Sequence, residues 1–327
     1  MALALTAQAV EINRVGANLI LRDASCSRVN SIAQSLAQWT HSMETRNNCP
    51  AVLPRGQLVG RACQLDITSC VPAHVQRYQG NRIEAGPNCW NLALVLRGIL
   101  PNIRMASPEE MTFYMNPPLC RALRDGEGKR PGDVVAIRKF SDADLVEVHG
   151  FIYISPEIAY SKNGMEAEVP YSLQSLESVY QAYNVPNTAQ CRANQANLSA
   201  NCEAETSVYR CSSMGNYLNQ HPNIPEELTT ALRDFGIFDR CLEALYVDGT
   251  SISRTAQNNL EDSTRALTFY LQQNHQSASE EQTFILGSLQ LRLAAIVENL
   301  PYDQSTAELR TLRAAFDRSL GELNSSR

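Results

Sequence analysis

The chain has 327 residues, 44% hydrophobic and 19% charged, a make-up that suits a folded protein with room for two domains. A net charge of −6 and the lack of any dense lysine or arginine run leave no broad basic surface for nucleic acid. No stretch reaches the roughly 18–20 apolar residues that a membrane span requires, so no span is expected.

Residues 1–9 are apolar and end in Ala7-Gln8-Ala9, a small-x-small pattern that fits the remnant of a secretory signal; a short frayed terminus is the alternative. Ten cysteines follow, at 26, 49, 63, 70, 89, 120, 191, 202, 211 and 241, with no Cys-x-x-Cys pair and only five scattered histidines. That pattern favours disulfides in an oxidising compartment over a metal, and it points to a secreted or periplasmic protein. With Cys89 kept as a thiol, Cys120 is the expected second thiol, because it lies between the outer cysteine clusters.

Residues 10–71 read as an N-terminal flank tied by disulfides, with one helix over 28–40 on Ile32, Leu36 and Trp39 and a loop-like stretch over 57–70. The organising element comes next. In Gly86-Pro87-Asn88-Cys89-Trp90-Asn91 turn formers stop at a cysteine, and an apolar helix begins that should run to about Leu100 before Pro101. A thiol in the first helical turn sits where backbone N–H groups and the helix dipole favour the thiolate. Ser107-Pro108-Glu109-Glu110 predicts a second capped helix.

Arg130-Pro-Gly-Asp-Val-Val-Ala-Ile137 and Val148-His149-Gly-Phe-Ile-Tyr-Ile154 predict two strands, with His149 at the start of the second. Residues 159–163 predict a third strand, and 172–183 a helix. Residues 187–224 read as a cysteine-rich linker. Helical spacing over 226–246, 257–273, 280–299 and 305–323 then predicts a small bundle in a helical domain, 225–327. Cysteine on a helix with histidine on a later strand is an arrangement for thiol catalysis, since the imidazole must reach sulfur from a separate rigid element.

Tyr78-x-Gly-Asn, Gly-Pro-Asn-Cys89, Pro-Gly-Asp-Val-Val and His149-Gly-Phe-Ile-Tyr-Ile together resemble the NlpC-like branch of the papain-fold cell-wall peptidases, over about Tyr78 to Tyr183. The resemblance implies an α+β fold, with a compact papain-like core over 72–186 in which a Cys-bearing helix precedes an antiparallel sheet, joined to the C-terminal helical domain. It implies a cysteine peptidase or amidase cleaving peptidoglycan stem peptides without cofactor or metal. Cys89 takes the role of nucleophile and His149 that of base and acid. Ser161 is the orienting group, with Asn163 as its alternate on the same face of the strand. Tyr78, Asn88 and Trp90 fall to the oxyanion and substrate side. Asn88-Cys89-Trp90-Asn91 departs from the family's Asp-Cys-Ser-Gly, a difference that bears on substrate choice. Two other readings stay open: a transglutaminase-like or acyl transferase on the same core, and a secreted binding protein with a retired core whose helical domain holds a protein partner.

Overall fold

A computed structural model describes residues 10–43, 48–81, 88–141, 144–164, 166, 169–186, 204–274, 278–300 and 307–325. The expected signal remnant, Cys191, Cys202 and most of the linker's first half lie outside the described residues. The protein is mixed α+β with two antiparallel sheets and a helical C-terminal region. The chain divides into two compact units, Met1–Arg82 with Ala122–Arg210, and Ile83–Arg121 with Cys211–Arg327. Each unit is built from two separated stretches, so the division cuts across the sequence block 72–186.

In the first unit β1 (Glu11–Val15), β2 (Asn18–Asp23), β3 (Gln57–Val59) and β4 (Ala62–Asp66) form a sheet of order β1-β2-β4-β3. The stretch 57–70 is therefore a hairpin and a short 3₁₀ turn rather than a loop; its strands are too short to show a period-2 signal. Helix α1 (Cys26–Ser42) covers the sheet with Val29, Ile32, Leu36 and Trp39, all buried at helical spacing. Cys26–Cys63 ties the start of α1 to β4, and Cys49–Cys70 closes the adjoining loop. Helix α2 (Ala73–Tyr78) follows, ahead of the second stretch of the unit.

The larger sheet has the order β5-β10-β6-β7-β8-β9, with β5 (Cys120–Ala122), β6 (Val134–Ser141), β7 (Asp144–Tyr153), β8 (Ile158–Ser161), β9 (Ser172–Ser175) and β10 (Glu205–Cys211). Two sequence expectations change here. His149 lies well inside β7 rather than at its start, because the strand reaches back to Asp144. The stretch 172–183 opens with β9 before Ser175 caps α5 (Leu176–Ala182), so only its second part is helical. Val135, Ile137, Phe151, Tyr153 and Ala159 form one face of the sheet and pack on Leu176 and Val179 of α5.

The second unit holds α3 (Cys89–Leu96), α4 (Pro108–Tyr114), α6 (Met214–Gln220), α7 (Glu226–Asp248), α8 (Arg254–Gln273), α9 (Glu280–Asn299) and α10 (Ala307–Ser325). The last four close into a ring, α7 on α8, α8 on α10, α10 on α9 and α9 on α7. That ring is a four-helix bundle. Helix α4 packs on α9, and α3 on α4. The cysteine helix therefore clusters with the bundle and not with the block 72–186 to which the sequence assigned it. It also stops four residues early. Gly98, at φ +66, takes the left-handed cap position, and its N–H bonds the carbonyl of Val95 at 2.9 Å. The linker is corrected too, since it contains β10 and α6.

Candidate functional site

His149 is set by the ladder of β6 and β7. Ile137 pairs with His149 and Arg138 with Glu147, so Val148 is an extra residue, a β-bulge immediately before the histidine. Bulges of this kind re-aim the side chains beside them. Across the other edge Ile152 pairs with Tyr160, and Tyr153 with Ala159; continuing that register makes Ser161 the diagonal neighbour of His149 and Asn163 its opposite.

The geometry follows. His149 is fully buried, and its Nε2 lies 2.9 Å from Ser161 Oγ. Ser161 Oγ donates to Asn163 Oδ1 at 2.6 Å, and Asn163 Nδ2 donates to Gln174 Oε1 at 3.1 Å. A hydroxyl has one proton. With that proton committed to Asn163, Ser161 accepts from His149, so Nε2 carries the ring hydrogen and Nδ1 the lone pair. Among the described residues nothing hydrogen-bonds Nδ1. The Tyr183 ring stacks on the imidazole at 4.1 Å between centroids, 14° from parallel. Burial lowers the histidine's pKa from its ordinary 6.5 to about 3, which makes it a neutral imidazole at physiological pH.

Cys89 is the first residue of α3, in the second unit. It is buried and in no disulfide; of the cysteines the structure describes, only Cys241 shares the thiol state. Asn88 caps the helix. Its Oδ1 accepts from the N–H groups of Asn91 at 3.0 Å and Ala106 at 3.4 Å, while its Nδ2 donates to the Ala106 carbonyl at 2.7 Å. Its side chain is thereby committed to the cap and to loop 101–107. Trp90 is half-buried, and its Nε1 has no hydrogen-bond partner among the described residues.

Loop 101–107 is itself anchored by charge. Arg104, fully buried, meets Glu110 in two bonds of 2.7 Å and Asp239 of α7 at 3.0 Å through Nε. Its backbone N–H donates to Asn91 Oδ1 at 3.2 Å. Burial opposes the guanidinium's charge, but Glu110 and Asp239 outweigh it and raise the pKa further. The same burial raises that of Asp239, against the pull of Arg104.

Tyr78 sits in an aromatic cluster. Its ring is buried against His74 at 4.7 Å and Tyr171 at 5.8 Å, with the Arg77 guanidinium over it at 5.0 Å. His74, half-buried there, has its pKa lowered to about 3 by burial and by Arg77. Asp133 holds the Pro-Gly turn through the Arg130 N–H at 2.8 Å and pairs with Arg210.

The structure thus brings His149, Ser161 and Asn163 together in one unit, and sets Cys89, Asn88 and Trp90 in the other. Sequence reasoning missed Gln174, Tyr183 and Arg104. The available signal for the first was Ser175, three residues before Ser178, an N-cap that would have ended a strand at Gln174. Cys120 is also corrected: it is bonded to Cys211, and among the described cysteines Cys241 is the other thiol. Among the described residues no three histidine, cysteine or carboxylate side chains are grouped to hold a metal, and no helix is long and apolar enough to cross a membrane.

Comparison with protein-family models, with curated proteins and with solved structures found no match. The likeness to NlpC-like peptidases rests on the residues quoted above.

Proposed function

We propose that the protein is a secreted or periplasmic cysteine hydrolase of amide bonds, with Cys89 as nucleophile and His149 as base. The observation that carries this reading is the state of His149: a buried neutral imidazole, Nε2 tied to Ser161 and Nδ1 left with a lone pair. The thiol state of Cys89 beside three disulfides among the described residues supports it, as does the capped helix that begins at that residue. Disulfides in this number belong to oxidising compartments.

In the proposed reaction His149 Nδ1 takes the Cys89 proton, and sulfur attacks the amide carbonyl. The tetrahedral intermediate collapses as the imidazolium protonates the leaving amine. Water, deprotonated by His149, then cleaves the thioester and returns the proton to sulfur. The substrate class we infer is a peptide, and among peptides the stem peptides of peptidoglycan, through the NlpC-like residues.

The test is alkylation of the native, non-reduced protein with iodoacetamide across pH, with peptide mapping, beside product analysis on peptidoglycan fragments. Expected are Cys89 labelling well below the ordinary thiol pKa of about 8.5, slowed in His149→Ala, and release of new amino termini. Cys89→Ala and His149→Ala are each expected to lower that release by about 10⁴-fold or more. Cys89 labelling indifferent to His149, with no new amino terminus, overturns the proposal. Transfer to an added amine in place of water would move it to the transferase reading.

A further inference from the structure

The hydrogen-bond chain behind His149 has a direction, and the direction decides which ring nitrogen is the base. Four groups are linked in series: His149 Nε2, Ser161 Oγ, Asn163 and Gln174. Asn163 is the reversible link, since its amide offers an acceptor on one side and a donor on the other. In the observed sense Gln174 Oε1 accepts from Asn163 Nδ2, Asn163 Oδ1 accepts from Ser161, and Ser161 accepts from His149. Rotate the Asn163 and Gln174 amides together by half a turn and every bond reverses; rotate Asn163 alone and its oxygen meets the Gln174 oxygen, two acceptors face to face. Ser161 would then donate to Nε2, the ring proton would sit on Nδ1, and the lone pair that faces away from the chain would vanish. The imidazole, fully buried and stacked on Tyr183, has no water shell of its own to supply the missing choice.

We propose that Gln174 is a positioning residue: by presenting its carbonyl oxygen to Asn163 it fixes the polarity of the chain and thereby the Nε2–H tautomer of His149. The catalytic consequence rests on the reading of His149 as a base; the tautomer itself does not.

The chemistry suggests paired variants. In Gln174→Glu the group facing Asn163 can only accept, so the observed polarity is kept. In Gln174→Lys it can only donate, so Asn163 must turn and the chain reverses. Two-bond proton–nitrogen spectra of histidine-labelled protein read the tautomer directly, with His149 assigned by its loss in His149→Gln. They are recorded in a Cys89→Ala background, so that no catalysis is needed. The wild-type residue at 174 and Gln174→Glu are expected to show Nε2–H, and Gln174→Lys to show Nδ1–H, with the other histidine signals in place. If Gln174→Lys does not fold, Gln174→Met replaces it: with no amide to set Asn163, the single Nε2–H form should be lost. A parent protein in the Nδ1–H form, or an Nε2–H form that survives both Lys and Met, overturns the inference.

With Cys89 present, activity should follow the tautomer, kept in Gln174→Glu and about 10⁴-fold lower in Gln174→Lys, the scale on which a catalytic histidine held in the wrong tautomer loses turnover. A tautomer that switches as expected in a protein with no hydrolase activity would leave the relay standing and sink the enzymatic reading instead.

Discussion

Each unit holds a polar assembly around a fully buried group, His149 in one and Arg104 in the other, and the two are satisfied by opposite means. In the first, His149, Ser161, Asn163 and Gln174 are neutral and linked by directed hydrogen bonds. In the second, Arg104, Glu110 and Asp239 are charged, fully buried and held by ion pairs. A neutral chain is cheap to bury, but its behaviour depends on where its protons sit. A charged cluster is costly to bury and holds only while each partner is present. The first is therefore sensitive to pH and the second to deletion.

Acid gives the largest expected contrast. His74 and His149 are both held neutral, with pKa lowered to about 3 against an ordinary 6.5. Between those values the unfolded chain binds protons that the folded one refuses, so stability falls as pH drops from 6.5 toward 3 and is unaffected by these groups above 7. The loss should reach several kcal/mol by pH 4. Asp239 has the opposite sign: its raised pKa means that the folded state takes up a proton first, which adds stability as pH falls. Hydrogen exchange from pH 7 to 4 should accordingly show the first unit opening before the second, and His74→Phe should remove part of the effect. Simultaneous opening would erase the contrast.

Deletion should reverse the order. Arg104→Ala leaves Glu110 and Asp239 buried without their cation, an expected cost of about 3–5 kcal/mol, measurable as a lower denaturation midpoint. Ser161→Ala, which breaks the neutral chain, should cost only about 1–3 kcal/mol for the unsatisfied Nε2–H. If the two costs were equal, the distinction between charged and neutral assemblies would carry no energetic content. The smallest effect expected is that of Asn88→Ala, about 1 kcal/mol for the lost cap of α3, read by thermal unfolding. Its sharper readout is Cys89: if the cap positions the thiol, the alkylation rate of Cys89 changes more than overall stability does.

Much was legible from residues. The bundle helices follow their apolar spacing, and 280–299 has the expected bounds because Ser279 and Gln282 form a capping box that fixes the start. Strand alternation put Asn163 on the same face as Ser161, and Ser161 Oγ donates to Asn163 Oδ1 and lies 2.9 Å from His149 Nε2. Local signals failed where the deciding partner was remote. Gln57–Val59 and Ser172–Ser175 are too short to show a period, and become strands only by pairing with β4 and β8. Cys120 looked isolated because its partner is 91 residues away.

The sequence by itself determined the helices, the capped cysteine at the start of α3 and the strand pattern around His149, since each depends on residues within a turn or two of one another. Only the tertiary structure decided the rest. It grouped α3 with the bundle, paired Cys120 with Cys211, gave Asn88 to the cap and Tyr78 to an aromatic core, and aimed one nitrogen of His149 at Ser161. Those outcomes depend on long-range packing and on the direction of hydrogen bonds, which no local spacing encodes.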